Sequence, residues 1–550
     1  MAISWPSQLA RDRAAVRARR GAKRTQAFAR LADTAHSDAI ARDVEAVTAD
    51  GALLDPWLAY AAARRRLARD EQVPALALLA RAQASLGPRD DAGLIARVAF
   101  TIGGLQITAS EPAAAGVTLT WAEGLLGRRS EAAPDIAHLR ALILEQQGDR
   151  ERALAEYRTA LRRRAHALTP LSAVLAMRNL GAALVDADPL EARSLYSLAL
   201  AQLQAHELDP AIRPALTNAL AYSLICLGEL RPARDALRRA ERDAVSQRRT
   251  RIVLYARFNR AIIDELEGAA TAARTALTAL ERAATRAELP DIAAWARLRL
   301  IWLDLRGGEA AGVAAALARV RGAAYTDAVQ ALQAILAFRR SRDGEARRHF
   351  ADAAAQFRAR GDHLGEFAMQ LWLALAEERA GRTVAARRHA AAACGLGSER
   401  GYLLSPNWWA PEIVVAATRL VAGSDLEYAA RLHQPPDVTA RVRAARVTLT
   451  TDAIRVDGDA LPPDRWRVGR SGSGVLRRLF AALVAAHPAG VGRDELADLL
   501  WPESEGDKAV RNLYAATDDL RRLLAELPGV RLASEQGRYS LVLGDNVGLD

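Results

Sequence analysis

Between about residue 52 and residue 423, apolar positions return every three to four residues in a background rich in Ala, Leu and Arg and poor in β-branched side chains. That pattern predicts a succession of amphipathic helices. Turn-type residues break it at Asp70, Ser110, Gly148, Asp188, Gly228, Gly268, Gly308, Gly344 and Gly381, in steps of 40, 38, 40, 40, 40, 40, 36 and 37. A fixed period of this length is the mark of stacked helical hairpins, since one hairpin cannot bury its apolar face alone.

Several of these turns are followed by Ala, a large apolar residue four positions on, and Ala again: Ala153/Tyr157/Ala160, Ala192/Tyr196/Ala199, Ala233/Leu237/Ala240 and Ala346/Phe350/Ala353. On a helix these three share one face, where the small residues admit a neighbouring helix and the bulky one fills the space between. Over roughly 370 residues this pattern resembles the tetratricopeptide repeat, in the long-period form of the helical sensor domains of bacterial activators such as the maltose regulator family. The period is near 39 instead of the usual 34, and the consensus Trp and Pro are mostly missing.

A stacked array of this kind presents a concave groove that takes extended peptides or partner helices. Equivalent positions of successive first helices carry Arg140, Asn179, Asn218, Asn259 and Arg299, at steps of 39, 39, 41 and 40. An Asn amide in a groove can donate to and accept from a peptide backbone, and an Arg at either end suits a carboxylate. The resemblance adds that Asn near this place lines the groove of peptide-binding tetratricopeptide proteins. The same Asn residues could instead bridge neighbouring helices.

Past the Pro435-Pro436 break the texture changes. Val447-Thr448-Leu449-Thr450 and Ile454-Arg455-Val456 alternate as short strands around an Asp457-Gly458 turn. Helices are predicted from about Gly474 to Ala486, from Arg493 to Leu500 and from about Gly506 to Glu526. Val530-Arg531-Leu532 and Arg538 to Leu543 then close as a ribbon around Gln536-Gly537. Strands, three helices and a terminal hairpin predict a winged helix. The stretch resembles the OmpR/PhoB-type winged helix, in the version found in antibiotic regulatory proteins. The likeness rests on Leu496, Leu499-Leu500-Trp501-Pro502, Ala509, Asn512-Leu513, Leu520-Arg521-Arg522, Leu524 and Gly537 to Leu541.

In that family the third helix enters the DNA major groove and the hairpin reaches the sugar-phosphate or the minor groove. The resemblance therefore implies DNA contacts from Lys508, Arg511, Asn512 and Ala515 on the helix, Arg493 at the start of the second helix, and Arg538 at the wing. Arg suits guanine and Asn adenine. The chain departs from the family at Asp518-Asp519, where relatives commonly carry a Ser and a basic residue. Two carboxylates beside a phosphate wall oppose binding unless they face away or pair with Arg521 and Arg522.

Composition refines this picture. The 76 Lys+Arg against 65 Asp+Glu leave a net charge of +11, which permits a nucleic-acid or acidic partner. Residues 441–550 hold 15 Arg and one Lys against 16 acids, so the surplus belongs to the first 440 residues. Cys226 and Cys394 lie apart in helical stretches, which argues against disulfides and zinc. The nine His residues stand singly, with no metal-ligand spacing. Gly469-Arg470-Ser471-Gly472-Ser473-Gly474 lacks the Lys-Ser/Thr of a phosphate loop, and no G-x-S-x-G element occurs. No enzyme and no cofactor is expected. The absence of a long apolar run and of a secretory core predicts a cytoplasmic protein with no membrane partner.

The N-terminus gathers Arg11, Arg13, Arg17, Arg19, Arg20, Lys23, Arg24 and Arg30 against Asp12. Such a cluster fits a phosphate-tracking arm or the polar face of a capping helix. The sequence thus predicts a mostly α chain: a basic helical cap or arm over 1–50, an α-solenoid of helical hairpin repeats over 51–425, a linker over 426–445 and an α+β winged helix over 446–545. The functional expectation is a transcriptional regulator that binds a peptide or protein through its groove and double-stranded DNA through its winged helix, as part of a homodimer. The alternative is an adaptor whose winged helix contacts proteins.

Overall fold

The computed structural model describes residues 5–17, 22–34, 55–433 and 447–549, except 70, 110, 132, 309, 321, 323–324, 457–458, 468, 470, 505, 525–526, 528–529, 536 and 544–546. The expected turns at Asp70 and Ser110, the turn at Asp457-Gly458 and most of the linker lie outside the described residues. The chain divides into two compact units, Met1–Pro435 and Pro436–Asp550.

In the first unit, helices Trp5–Arg17 and Ala22–Leu31 precede a run of hairpins. These pair Pro56–Ala68 with Gln72–Ser85, Ala92–Thr108 with Pro112–Leu126, Pro134–Gln146 with Arg150–Arg162, and Leu171–Leu184 with Pro189–Ala205. Arg213–Cys226 with Leu230–Ser246 and Thr250–Leu266 with Ala270–Arg286 continue the series. Pro290–Arg306 is followed by the short Val313–Ala318, then Thr326–Arg339 pairs with Asp343–Ala359 and His363–Arg379 with Thr383–Arg400.

Local chemistry sets the helix ends. Proline opens the first turn after Asp55 and Asp188, whose carboxylates accept from Trp57 N–H and Glu191 N–H. Gly148, Gly228, Gly268, Gly308 and Gly381 turn the chain within hairpins at φ between 73° and 84°, the left-handed region that glycine enters without a Cβ penalty. Gly344 is different: it already lies in the helix Asp343–Ala359, and Ser341 takes the left-handed position with φ 56°. The small-large-small triplets are core. Ala153, Tyr157, Ala160, Ala192, Tyr196, Ala199, Ala233, Leu237, Ala240, Ala346, Phe350 and Ala353 are all at most 2% exposed. Burying one such bulky side chain stabilises the array by about 2–3 kcal/mol.

Long-range contacts fold the array back on itself. Asp33 joins the N-terminal helices to later repeats, accepting from Tyr60 Oη (3.0 Å), Arg64 Nε (3.0 Å) and Thr169 Oγ1 (2.7 Å). Its carbonyl accepts from Asp209 N–H at 3.0 Å. Arg30 pairs with Asp12 and Arg13 with Glu207, so part of the N-terminal basic cluster is engaged within the fold.

After the last hairpin the chain crosses the repeats instead of leaving them. Tyr402 Oη donates to Ala187 O at 2.8 Å, Arg299 Nη1 donates to Pro406 O at 2.5 Å, and Trp372 Nε1 donates to Trp408 O at 2.8 Å. Tyr402, Leu404, Trp408 and Trp409 are buried. Helices Pro411–Leu420 and Ser424–Ala429 follow. Trp409 Nε1 donates to His433 O at 2.8 Å, which extends the packed unit past the boundary near 425 expected from composition.

Among its described residues the second unit holds two sheets and three α-helices, Ser473–Ala485, Arg493–Leu500 and Gly506–Leu524. One sheet runs β3(Asp459–Ala460)-β2(Ile454–Val456)-β1(Val447–Leu449)-β7(Val547–Leu549), antiparallel except for the β1–β7 pair. The other runs β4(Val491–Gly492)-β6(Arg538–Leu543)-β5(Val530–Glu535), with Val530 opposite Leu543 and Glu535 opposite Arg538. Leu513, Leu520 and Leu524 form the buried stripe of the third helix against Leu479, Phe480, Leu483, Leu496 and Tyr539.

Candidate functional site

The five groove residues fall into three situations. Arg140 forms an ion pair with Glu123 of the preceding helix, Nη2 to Oε1 at 2.6 Å. Asn179 places Nδ2 2.9 Å from His138 Nε2. That His is buried between Phe100 and Tyr157, and desolvation holds its pKa well below the usual imidazole value. A neutral ring can accept there. Arg299 stands 2.6 Å from Glu265 as a buried ion pair and holds the crossing segment through Pro406. Asn218 and Asn259 line a cavity and are joined by Asn259 Nδ2 to Asn218 Oδ1 at 3.2 Å.

That cavity measures about 470 Å³, within the size range of small-molecule sites. Tyr222 and Asn218 come from the helix Arg213–Cys226, Tyr255, Phe258 and Asn259 from Thr250–Leu266, and Trp295 from Pro290–Arg306. Ser405, Asn407 and Trp408 of the crossing segment complete the wall. Trp408 sits at φ 59°, a left-handed conformation costing an L-residue roughly 1–2 kcal/mol that the surrounding packing must offset.

Two carboxylates mark one side. Asp362 caps its helix by accepting from Gly365 N–H at 2.7 Å, and burial together with Asp186 pushes its pKa up to about 8. Asp186 is also raised, by burial, with Arg150 and the Tyr222 hydroxyl acting in the other direction. Neither residue stood out in the sequence. Asp186 follows a helix end and Asp362 reads as an ordinary cap, and only the coiling of the array brings them together.

In the second unit Lys508, Arg511 and Ala515 are exposed on the helix Gly506–Leu524, with Asn512 half-buried. Lys508 and Arg511 form no ion pair among the described residues. Arg493 contacts Asp494 (Nε to Oδ1, 2.9 Å) and Tyr514. Arg538 donates Nη2 to Gly490 O at 2.9 Å, tying the hairpin to the turn before β4. The acidic pair divides. Asp518 is exposed and pairs with Arg521 at 2.8 Å. Asp519 is buried, accepting from Ser471 N (3.0 Å), Ser471 Oγ (2.7 Å) and Arg522 Nη2 (2.8 Å). Asp519 is therefore an internal anchor, not a surface carboxylate. Gly469 makes room for it, since a Cβ there would lie 1.8 Å from Asp519 Oδ1.

Among the described residues no group of three or more His, Cys, Asp or Glu could hold a metal ion, and no helix is long and apolar enough to cross a membrane. No family model and no curated protein matches the sequence. Similar solved structures include a Rap protein complexed with Competence and Sporulation Factor, with a TM-score of 0.50 and 12% identity over 66% of this chain and 99% of that one. Apo NprR, a quorum sensor from B. thuringiensis, has a TM-score of 0.44 and 12% identity over 64% of this chain and 99% of its own. A STAND protein with a tetratricopeptide repeat sensor, from Pyrococcus horikoshii, has a TM-score of 0.36 and 13% identity over 57% of this chain and 52% of its own. The first unit is a tetratricopeptide-like helical repeat array.

Proposed function

We propose that this chain is a non-enzymatic, cytoplasmic transcriptional regulator. Its repeat array takes up a peptide or protein signal, and its second unit is a winged helix of the OmpR/SARP type that binds double-stranded DNA. The observation that carries the DNA reading is the exposed row Lys508, Arg511 and Ala515 on the third helix, with Arg493 at the start of the second. A helix with cations and a small residue on its free face can enter a major groove, while Arg538 on the hairpin can meet phosphate. Burial of Asp519 removes one of the two carboxylates that argued against such contact. The array's part is supported by its cavity and by the Rap structure of the same fold, which holds Competence and Sporulation Factor.

The adaptor reading draws on Leu499 and Tyr514, which are 56% and 49% exposed on the second unit. Selection of duplexes from mixed genomic DNA by the full chain, beside a pull-down after nuclease treatment, separates the two. A regulator enriches particular duplexes and keeps after nuclease treatment at most the signal held by its array. An adaptor enriches none and keeps its protein partners.

A further inference from the structure

The walls of the 470 Å³ cavity carry Asp186, Asp327 and Asp362, and no lysine, arginine or histidine stands among its described lining residues. Asp327 is answered by Arg360 at 2.6 Å. Arg150 acts on both Asp186 and Asp362, while its guanidinium donates to Ala183 O at 2.7 Å and Arg360 O at 3.2 Å. An anion placed here would meet like charge, whereas a cation would meet a pair of half-buried carboxylates. Aliphatic and aromatic residues make up most of the remaining wall, among them Tyr222, Tyr255, Phe258 and Trp295, whose rings can attract a cation and give apolar area for the body that carries it.

Asn259 is an independent sign of an occupant. It is 6% exposed, yet its one hydrogen bond is to Asn218, which leaves one amide oxygen and one NH₂ of the pair without a partner among the described residues. That count holds whichever way the two amides are turned. Asn218 is half-buried and these two groups keep contact with solvent, so a ligand that displaces water from them must offer polar atoms of its own.

We propose that the cavity binds a protonated amine or guanidinium on an apolar body, its cationic end against Asp186 and Asp362, its body between Tyr222, Phe258 and Trp295, and its polar atoms on the Asn218–Asn259 pair. This deepens the signal-sensing reading of the array and rests on it. Because the Asp186–Asp362 pair retains a proton near neutrality, cation binding expels that proton to the buffer.

The test uses the full chain in titration calorimetry with phenethylamine, its neutral isostere 2-phenylethanol, the tripeptide Phe-Gly-Gly and N-acetyl-Phe-Gly-Gly. The expected result is saturable binding of an amine with a heat that depends on buffer ionisation, no binding of 2-phenylethanol, and at least tenfold weaker binding to Asp362→Asn and Asp186→Asn. Asp362→Asn keeps a side chain suited to the cap, so its melting temperature without ligand reports that the fold is intact. Binding of Phe-Gly-Gly but not phenethylamine identifies a peptide N-terminus as the source of the cation, and the reverse identifies a small amine. Equal binding of the alcohol, or undiminished binding by both variants, overturns the assignment. If the acetylated peptide binds and neither amine does, the cation fails while the sensing array stands. If no probe binds, both fall.

Discussion

Glu265 is fully buried and has three partners: an ion pair with Arg299 (Nε to Oε2, 2.6 Å) and hydrogen bonds from Arg306 Nη1 at 3.2 Å and Trp302 Nε1 at 2.6 Å. Through Arg299 it is linked to Pro406 O and Asn407 Oδ1, at 2.5 and 3.3 Å, and so to the segment that roofs the cavity. Glu265→Gln leaves Arg299 and Arg306, with side chains 2% and 10% exposed, facing each other without an anion. Breaking a buried pair in that way costs about 3–5 kcal/mol. Arg299→Met is milder, about 2 kcal/mol, because Glu265 keeps Arg306 and Trp302 and mainly the charge-assisted bond to the crossing segment is lost. The double variant removes the pair together, and its cost should fall below the sum of the two by about 1–3 kcal/mol. Hydrogen exchange read on peptides covering 290–306 and 402–410 measures these local opening free energies without assuming that a repeat array unfolds in one step. If the two variants prove additive, or if Arg299→Met leaves 402–410 as protected as before, Arg299 does not tether the crossing segment.

Asp519→Ala should destabilise the second unit by about 2–4 kcal/mol, since Ser471 and Arg522 lose a charged acceptor; hydrogen exchange over 506–524 reads it, and unchanged protection would return Asp519 to the surface. Asp362 gives a pH signature. Burial, Asp186 and Asp327 raise its folded pKa to about 8 against the opposing pull of the Gly365 N–H and Arg150, so between the usual carboxylate range and about 8 the native state holds more protons than the unfolded one. Stability from this group is therefore full on the acid side and lost as pH rises through about 8. Asp362→Asn should flatten the fall in melting temperature between pH 5 and 9, and a parallel fall in both proteins would contradict the assignment.

What could be read in advance follows from the range of the interactions. The hairpin period and the small-large-small triplets repeat locally, so they were legible. Likewise the second unit's helices begin and end within a few residues of their predicted bounds. Contacts made by coiling were not legible. Tyr402 reaches Ala187 across 215 positions and Arg299 reaches Pro406 across 107, and no local periodicity announces either. Arg299 was expected to meet a ligand's carboxylate, and the structure instead pairs it with Glu265 and a backbone carbonyl of its own chain. Glu207, Arg248 and Glu288, which take φ of 49–56° between hairpins, carry no glycine to betray those turns. Asp519 read as a surface acid because its partner Ser471 lies 48 positions earlier, beyond two helices and a strand.

Fluorescence anisotropy of the full chain on mixed genomic duplexes, titrated with salt, tests the central claim most directly. Phosphate contacts make log affinity fall with log salt by about 0.9 per contact. The account predicts a steep slope for the wild type, and weaker binding with a shallower slope for Lys508→Ala/Arg511→Ala. No salt-sensitive binding at low ionic strength, or an identical slope in the double variant, would contradict it.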